Sequence, residues 1–300
     1  MSELSPGHIL ALDIGGSHAV AAVVSQHDRA IVEASRARRA TQPDAPADAL
    51  LGAWAGVLGT AYAGAGAPPV ARLGVAMPGP FDYARGVSLL RHKFASLLGS
   101  DVGAALSARW AAAGHPPVAA RFGNDATLFA LGEWWAGAAR GHDSVLGITL
   151  GTGLGAGFVA GGEALYGGEG VPPDGGLWDW PYRDGIAEDY VSGRAVSAAY
   201  ATASGSQLDA AEIARRATAG DDGARAAFGG LGDHLGQILA PWVGRFAPGA
   251  IVVGGNIARA WPLFAPALEA RLGSLPVALR RTELFEDASL LGAAALCAPL

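Results

Sequence analysis

The chain carries one glycine-rich element twice, and this repeat constrains the fold more than any other feature. Near the start, Leu10–Ile14 is an apolar run interrupted by Asp13, Gly15-Gly16-Ser17 a tight turn and His18–Val24 a second run. In the middle, Leu146–Leu150, Gly151-Thr152-Gly153 and Leu154–Val159 repeat the pattern. Each reads as strand, turn, strand. Glycine lets the backbone approach a ligand closely and take positive φ. Successive N–H groups in such a turn form an anion-binding nest. Two such turns predict two similar half-domains closing on one polyphosphate.

The segments around the hairpins alternate strand and helix. In Ala45–Ala63, the residues Leu50, Leu51, Trp54 and Leu58 share one helical stripe. Val70–Met77 is a buried strand ending in Pro78-Gly79-Pro80. A helix over 101–113 leads to a strand at Val118–Phe122, and Gly123-Asn124-Asp125 opens a helix over 126–139. Beyond the second hairpin, 163–184 is irregular and rich in Gly, Pro and Trp. Helices are expected over 192–202, 208–219 and 221–246, the last broken near Pro241. A strand at Ala250–Val253 ends in Gly254-Gly255-Asn256, and a final helix runs over 287–296. This alternation argues an α/β fold. The boundary is expected near Ala120, with an N-terminal α/β lobe over 1–120 and a larger C-terminal lobe over 121–286. A C-terminal helix over 287–300 is expected to pack back on the first lobe.

Composition removes several function classes. Charged residues are 16% and apolar ones 51%, so a sizeable core is available. The net charge of −6 is spread along the chain, and Arg36, Arg38 and Arg39 read as a solvated loop, so no nucleic-acid partner is expected. One cysteine, Cys297, leaves no intrachain disulfide and no thiolate cluster for structural zinc, and the seven histidines are scattered. Cysteine usage points to the cytoplasm. The N-terminus lacks a basic region followed by an apolar stretch, so no signal peptide is expected. Ser144–Gly162 carries no ionised side chain and is long enough for a bilayer. Its glycines, with Thr149 and Thr152, mark a strand–turn–strand instead, and no membrane partner is expected.

The polar residues at these turns each allow two readings. Asp13 ends a strand beside the first turn. It either contacts Mg²⁺ or a metal-bound water, or caps local N–H groups as an Asx turn. Asn124-Asp125 sits between strand and helix, where Asn and Asp are favoured N-caps. A general base held at the carboxyl end of a strand would occupy the same place. Gly254-Gly255 is either an ordinary strand–helix turn or a bare backbone wall for a nucleotide. Lys93, the chain's only lysine, is either a survivor of arginine-for-lysine bias or a site contact.

Five segments in order resemble the motifs of the ROK (repressor, open reading frame, kinase) sugar kinases. Asp13-Ile14-Gly15-Gly16-Ser17 resembles the first phosphate motif and Gly74-Val75-Ala76-Met77-Pro78-Gly79 the Gly-x-x-x-Pro-Gly turn. Asn124-Asp125-Ala126, with Gly132-Glu133, resembles the catalytic-aspartate segment. Leu150–Gly155 resembles the second phosphate motif and Ile251–Gly255 the adenosine motif. The resemblance covers nearly the whole chain. It implies a two-lobed actin-like ATPase (ribonuclease H-like) α/β fold with a cleft between lobes.

The implied reaction is ATP-dependent phosphorylation of a hexose or hexose derivative. Asp125 would act as general base on a sugar hydroxyl. ATP and Mg²⁺ are the implied cofactors, with Asp13 toward the metal. Gly15, Gly16, Ser17, Thr152 and Gly153 would line the phosphates, and Gly254 and Gly255 the adenosine. Asn124 and Gly79 would lie at the sugar. A small-molecule sugar and a second copy of the chain, in a homodimer, are the implied partners.

Departures from the pattern fall on the sugar side. His18 stands where the family has lysine, and His92-Lys93-Phe94 replaces its Asn-Leu sugar loop. The family's Gly-Glu-x-Gly-His and Cys-x-Cys-Gly-x-x-Gly-Cys are replaced by Pro173–Tyr190, so no zinc site is expected. Counting from Gly162 puts Asp174 at the family's sugar-binding glutamate and Leu177 at its histidine. Glu169 is a second candidate, and Glu188 matches the second sugar-binding glutamate. Trp178 and Trp180 either offer faces to sugar C–H groups or fill the space of the missing zinc loop, and filling is the simpler role. Two other functions remain open. One is a non-catalytic sugar sensor, although the first motif begins within about ten residues of Met1, short of the N-terminal helix-turn-helix of the family's repressors. The other is an actin-like kinase acting on a non-sugar substrate.

Overall fold

The computed structural model describes residues 7–299. They form two compact units, one from the chain up to Ala136 together with the segment from Glu286 onward, the other Gly137–Phe285. In the first unit, β1 (His8–Ile14) and β2 (His18–Ser25) form an antiparallel hairpin. The short β3 (Ala30–Ile31) and β4 (Ala37–Ala40) extend the sheet beyond β2. Helix α1 (Ala47–Gly64) leads to β5 (Val70–Met77), parallel to β1. A small ribbon of β6 (Phe81–Asp82) and β7 (Val87–Ser88) and helix α2 (Val102–Ala112) follow. Then come β8 (Ala119–Asn124), parallel to β5, and α3 (Asp125–Ala136).

The helices begin and bury where their side chains dictate. Asp101 caps α2 by accepting from Ala104 N at 2.8 Å. The α1 stripe of Leu50, Leu51, Trp54 and Leu58 is buried on the sheet, with the Trp54 ring edge-on to Phe94 at 5.4 Å. Burial of each such side chain contributes roughly 1.5–3 kcal/mol.

The second unit repeats the plan. β9 (Ser144–Leu150) and β10 (Leu154–Ala160) form the hairpin, and β11 (Glu163–Leu165) extends it. A two-residue ribbon, β12 (Pro181–Tyr182) and β13 (Gly185–Ile186), runs into the single turn α4 (Ala187–Tyr190). Helices α5 (Gly193–Ser204), α6 (Ala210–Thr218) and α7 (Asp222–Phe246) follow, capped by Ser192, Asp209 and Asp221. β14 (Ala250–Gly254) lies parallel to β9; after α8 (Trp261–Leu272), β15 (Ala278–Arg281) lies parallel to β14. The strand order β11-β10-β9-β14-β15 matches β3-β2-β1-β5-β8. The duplication seen in the glycine turns therefore extends to the sheets.

Two expectations need correction. The first unit runs to Ala136, past the boundary expected near Ala120, and the two units are nearly equal in length. The cause is strand pairing: β8 joins β5 over Arg72–Met77 and carries α3 with it. Helix α7 also runs unbroken through Pro241. Proline removes one backbone donor there, but Leu239, Trp242 and Val243 are buried on both sides of it. About two and a half turns earlier, Gly232 lets α7 approach the Phe264 carbonyl of α8 closely.

The C-terminal helix (Ala288–Cys297) belongs to the first unit. It approaches β5 and α3 through glycines. A Cβ on Gly74 would overlap the Ala293 carbonyl, one on Gly132 the Ala288 carbonyl, and one on Gly292 the Leu128 carbonyl. Among the described residues, no helix is long and apolar enough to cross a membrane.

Candidate active site

In the first unit, three parallel strands end at one edge of the sheet. Asp13 is in register with Ala76, and Met77 with Asn124. The carboxyl ends of β1, β5 and β8 thus bring Asp13, the Pro78-Gly79 turn and Asn124-Asp125 to that edge, where ligands bind in α/β sheets. Asn124 Oδ1 accepts from Ala126 N (3.0 Å) and Thr127 N (3.2 Å), so Asn124 caps α3. Its Nδ2 donates to Tyr83 Oη (3.2 Å), which donates to the Met77 carbonyl (3.2 Å). A Cβ on Gly79 would sit 3.3 Å from Tyr83 Oη and 3.8 Å from Asn124 Nδ2, so a larger residue there would crowd this network. Tyr83 carried no recognisable signal in the sequence.

The Asp125 carboxylate accepts from Ala126 N at 2.9 Å. Burial raises its pKa, while Lys93 and the Ala126 N–H oppose the rise. Asp13 is pushed up to about 7 by burial and by the charge of Asp125. Two carboxylates and one ammonium thus act on one another here. The first turn is closed by Gly15 N donating to the His18 carbonyl (2.8 Å), with Gly16 and Ser17 exposed beyond it. Lys93 is half-buried, and its neighbour Phe94 is buried with φ +55.

The second unit carries the other turn. Gly151 N donates to the Gly153 carbonyl (3.0 Å), and the Gly151 carbonyl accepts from Gly193 N (2.8 Å), the first residue of α5. Glu188 Oε2 accepts from Leu154 N at 2.9 Å, and Arg194 pairs with Oε1. A Cβ on Gly153 would run into Glu188 Oε2. The structure therefore brings Glu188, Gly153 and Thr152 together at the second turn. Glu169 and Asp174 are exposed on the segment between β11 and β12, and Asp174 is left-handed at φ +59.

Gly254 ends β14 opposite Thr149. Gly255 has φ +79, and its Cβ would overlap the Leu150 carbonyl, so glycine is required by conformation and by close approach. Immediately beyond it opens a cleft of about 900 Å³, lined by Ala210, Ala214, Phe228, Asn256, Ile257 and Leu263, with Arg215, Arg225 and Arg259 beside them. In sequence, Ala210, Ala214 and Ala217 read as an ordinary helical core stripe. Their small size was the one signal that this face leaves open space.

The segment replacing the zinc motif is ordered by aromatic contacts. The Trp180 and Trp242 rings lie 4.8 Å apart, with the Arg245 guanidinium 5.5 and 5.0 Å from their centres. Tyr182 Oη donates to Gln237 Oε1 (3.0 Å) and lies 3.0 Å from His234 Nδ1. Trp180 fills space as expected, but Trp178 does not: its side chain is 51% exposed. Among the described residues, no group of three or more His, Cys, Asp and Glu side chains is placed to hold a metal ion.

A duplicated α/β unit, each copy with two parallel strands beside a hairpin that ends in a glycine turn, is the actin-like fold. Within that class the chain belongs to the ROK family, whose family model matches residues 9–299. It is 33% identical to the glucokinase of Thermotoga maritima over 203 residues, 58% of this chain and 64% of that protein, so the chain spans less than two thirds of this curated relative. Among solved structures, a ROK hexokinase from Thermus thermophilus is 30% identical with a TM-score of 0.76, covering 97% of each chain. A ROK-family glucokinase from Streptomyces griseus, in complex with glucose and AMPPNP, is 26% identical with a TM-score of 0.75, covering 97% of this chain and 99% of that one.

Proposed function

We propose that the chain is an ATP-dependent kinase of a hexose or hexose derivative. The observation that carries this reading is Asp125, whose carboxylate stands beside the Asn124 cap at the edge where β1, β5 and β8 end. Burial raises its proton affinity, as a general base requires. Asp125 takes the proton of a sugar hydroxyl as that oxygen bonds to the γ-phosphorus; the bond from phosphorus to the β–γ bridging oxygen breaks, and ADP leaves. Asn124 and Gly79 lie at the sugar. Gly15, Gly16, Ser17, Thr152 and Gly153 line the phosphates, and the cleft beyond Gly254-Gly255 takes the nucleoside. The similar proteins named glucokinase and hexokinase, and the glucose and AMPPNP in one of them, support the same choice of substrates.

A divalent cation fits the first unit. Asp13 would hold it, because a cation there relieves the repulsion from Asp125 that helps push its carboxyl up. Mg²⁺ bound with the nucleotide supplies positive charge against the phosphate oxygens. The test is ADP release with ATP and a panel of hexoses, amino sugars and N-acetylated sugars. Turnover of none of them rejects the reading. EDTA is expected to stop turnover and added Mg²⁺ to restore it. A zinc-selective chelator should leave melting temperature and activity unchanged; stoichiometric zinc lost together with the fold would overturn that expectation.

Glu188 serves the sugar and the second turn together. Glu188→Gln keeps an oxygen that can accept from Leu154 N, so the turn persists and the ATP KM should hold within about twofold. The charged acceptor for a sugar hydroxyl is lost, and the sugar KM should rise roughly tenfold. Glu188→Ala releases the Leu154 N–H as well, and both KM values should rise. Steady-state kinetics in both substrates separates the two variants. An unchanged sugar KM in Glu188→Gln removes Glu188 from the sugar site.

A further inference from the structure

Trp178 is an exception among the tryptophans. Trp54, Trp110, Trp135 and Trp242 are buried and Trp180 stacks on Trp242, whereas Trp178 is 51% exposed. Leaving an indole in water forgoes a large burial gain. The backbone beneath it is held firmly. Leu177 and Ala187 are fully buried. The Leu177 carbonyl accepts from Trp180 N (3.2 Å) and the Trp180 carbonyl from Ala187 N (2.8 Å). The Trp178 carbonyl accepts from Glu188 N at 3.0 Å. Glu188 in turn holds Leu154 N through its carboxylate. Two hydrogen bonds therefore tie the backbone of Trp178 to Leu154, the first residue past the second glycine turn. Beside the ring lies Gly176, where a Cβ would sit 3.4 Å from Trp178 Cδ1 and which places no side chain of its own there. Asp174 and Asp179, both exposed, flank it in sequence.

We propose that Trp178 is the sugar platform of this chain, its indole face receiving the C–H face of a pyranose while ring hydroxyls meet neighbouring carboxylates. This rests on the sugar-kinase reading above. Ring hydrogens of a pyranose form an apolar face with slight positive charge, which matches the negative face of an aromatic ring. Equatorial hydroxyls point sideways from that face toward acceptors, where charge-assisted bonds are the strong ones. The substrate class is thereby a pyranose with an uninterrupted C–H face, rather than an open-chain polyol.

The test uses the best sugar found in the panel and the full-length protein. Trp178→Ala should raise the sugar KM roughly tenfold, with kcat, ATP KM and melting temperature almost unchanged, and Trp178→Phe should recover most of the loss. In the absence of nucleotide, that sugar should change the tryptophan fluorescence of the wild type and not of Trp178→Phe. If Trp178 only shaped the backbone, the loss would appear in ATP KM and melting temperature, through Glu188 and Leu154, and the proposal would fail. A wild type that phosphorylates sugars while Trp178→Ala keeps its sugar KM within twofold overturns the platform and leaves the kinase reading standing. A wild type that phosphorylates none overturns both.

Discussion

Asp125→Asn is expected to keep the fold and nucleotide affinity while turnover falls by roughly 10²–10⁴. The amide retains an oxygen where Asp125 Oδ1 accepts from Ala126 N, so the local backbone has its partner. Helix α3 does not need Asp125 as its cap, because Asn124 already accepts from Ala126 N and Thr127 N. What the substitution removes is the carboxylate proposed as the proton acceptor. It also removes the charge that raises Asp13, so Asp13 should ionise more readily. Circular dichroism, melting temperature and nucleotide calorimetry should match the wild type. Activity within a few-fold of wild type would return Asp125 to a structural role.

The second large effect is on stability. Gly292→Val should lower it by at least about 3 kcal/mol, read as a fall in Tm on the order of 10 °C. The added Cβ would overlap the Leu128 carbonyl and sit 3.0 Å from Gly132 N. Both are backbone atoms in the middle of α3, and no rotamer change can make room. The two helices must separate, which uncovers apolar surface on both. Glycine at such a crossing is required by approach distance, not by φ. Gly229→Ala in α7 is the contrast, since a Cβ there meets nothing within 4 Å. It should raise stability by roughly 0.5–1 kcal/mol, the helix-propensity difference. Equal melting temperatures for Gly292→Val and the wild type would mean the helices are not this close.

The glycine turns were legible because their signal is local: a few residues fix both the bend and the N–H groups it presents. The same holds for Asp101 and Ser192, short polar residues at helix starts. The extent of the first unit was not legible, because the pairing of β8 with β5 joins residues almost fifty positions apart. The cleft beside Gly255 was hidden for a related reason. Ala210 and Ala214 repeat like core residues, and only the arrangement of α6 against the 256–263 segment leaves space between them. Trp178 and Trp180 are two residues apart and chemically alike. What separates them is Trp242, sixty residues on, which takes one ring and not the other.

The first unit is drawn from both ends of the chain, with the second inserted between Ala136 and Glu286. During synthesis the second unit is an unbroken stretch, able to close its core as soon as it is made. The first unit must wait. Until residues 288–297 have left the ribosome, Gly74 on β5 and Gly132 on α3 mark a groove without its helix. Asp125, at the start of that same α3, sits on an element that is still half supported. The position proposed for the base thus depends on a helix translated after the whole of the second unit, so a chain interrupted before Ala288 carries every glycine turn and still lacks the helix that packs against α3.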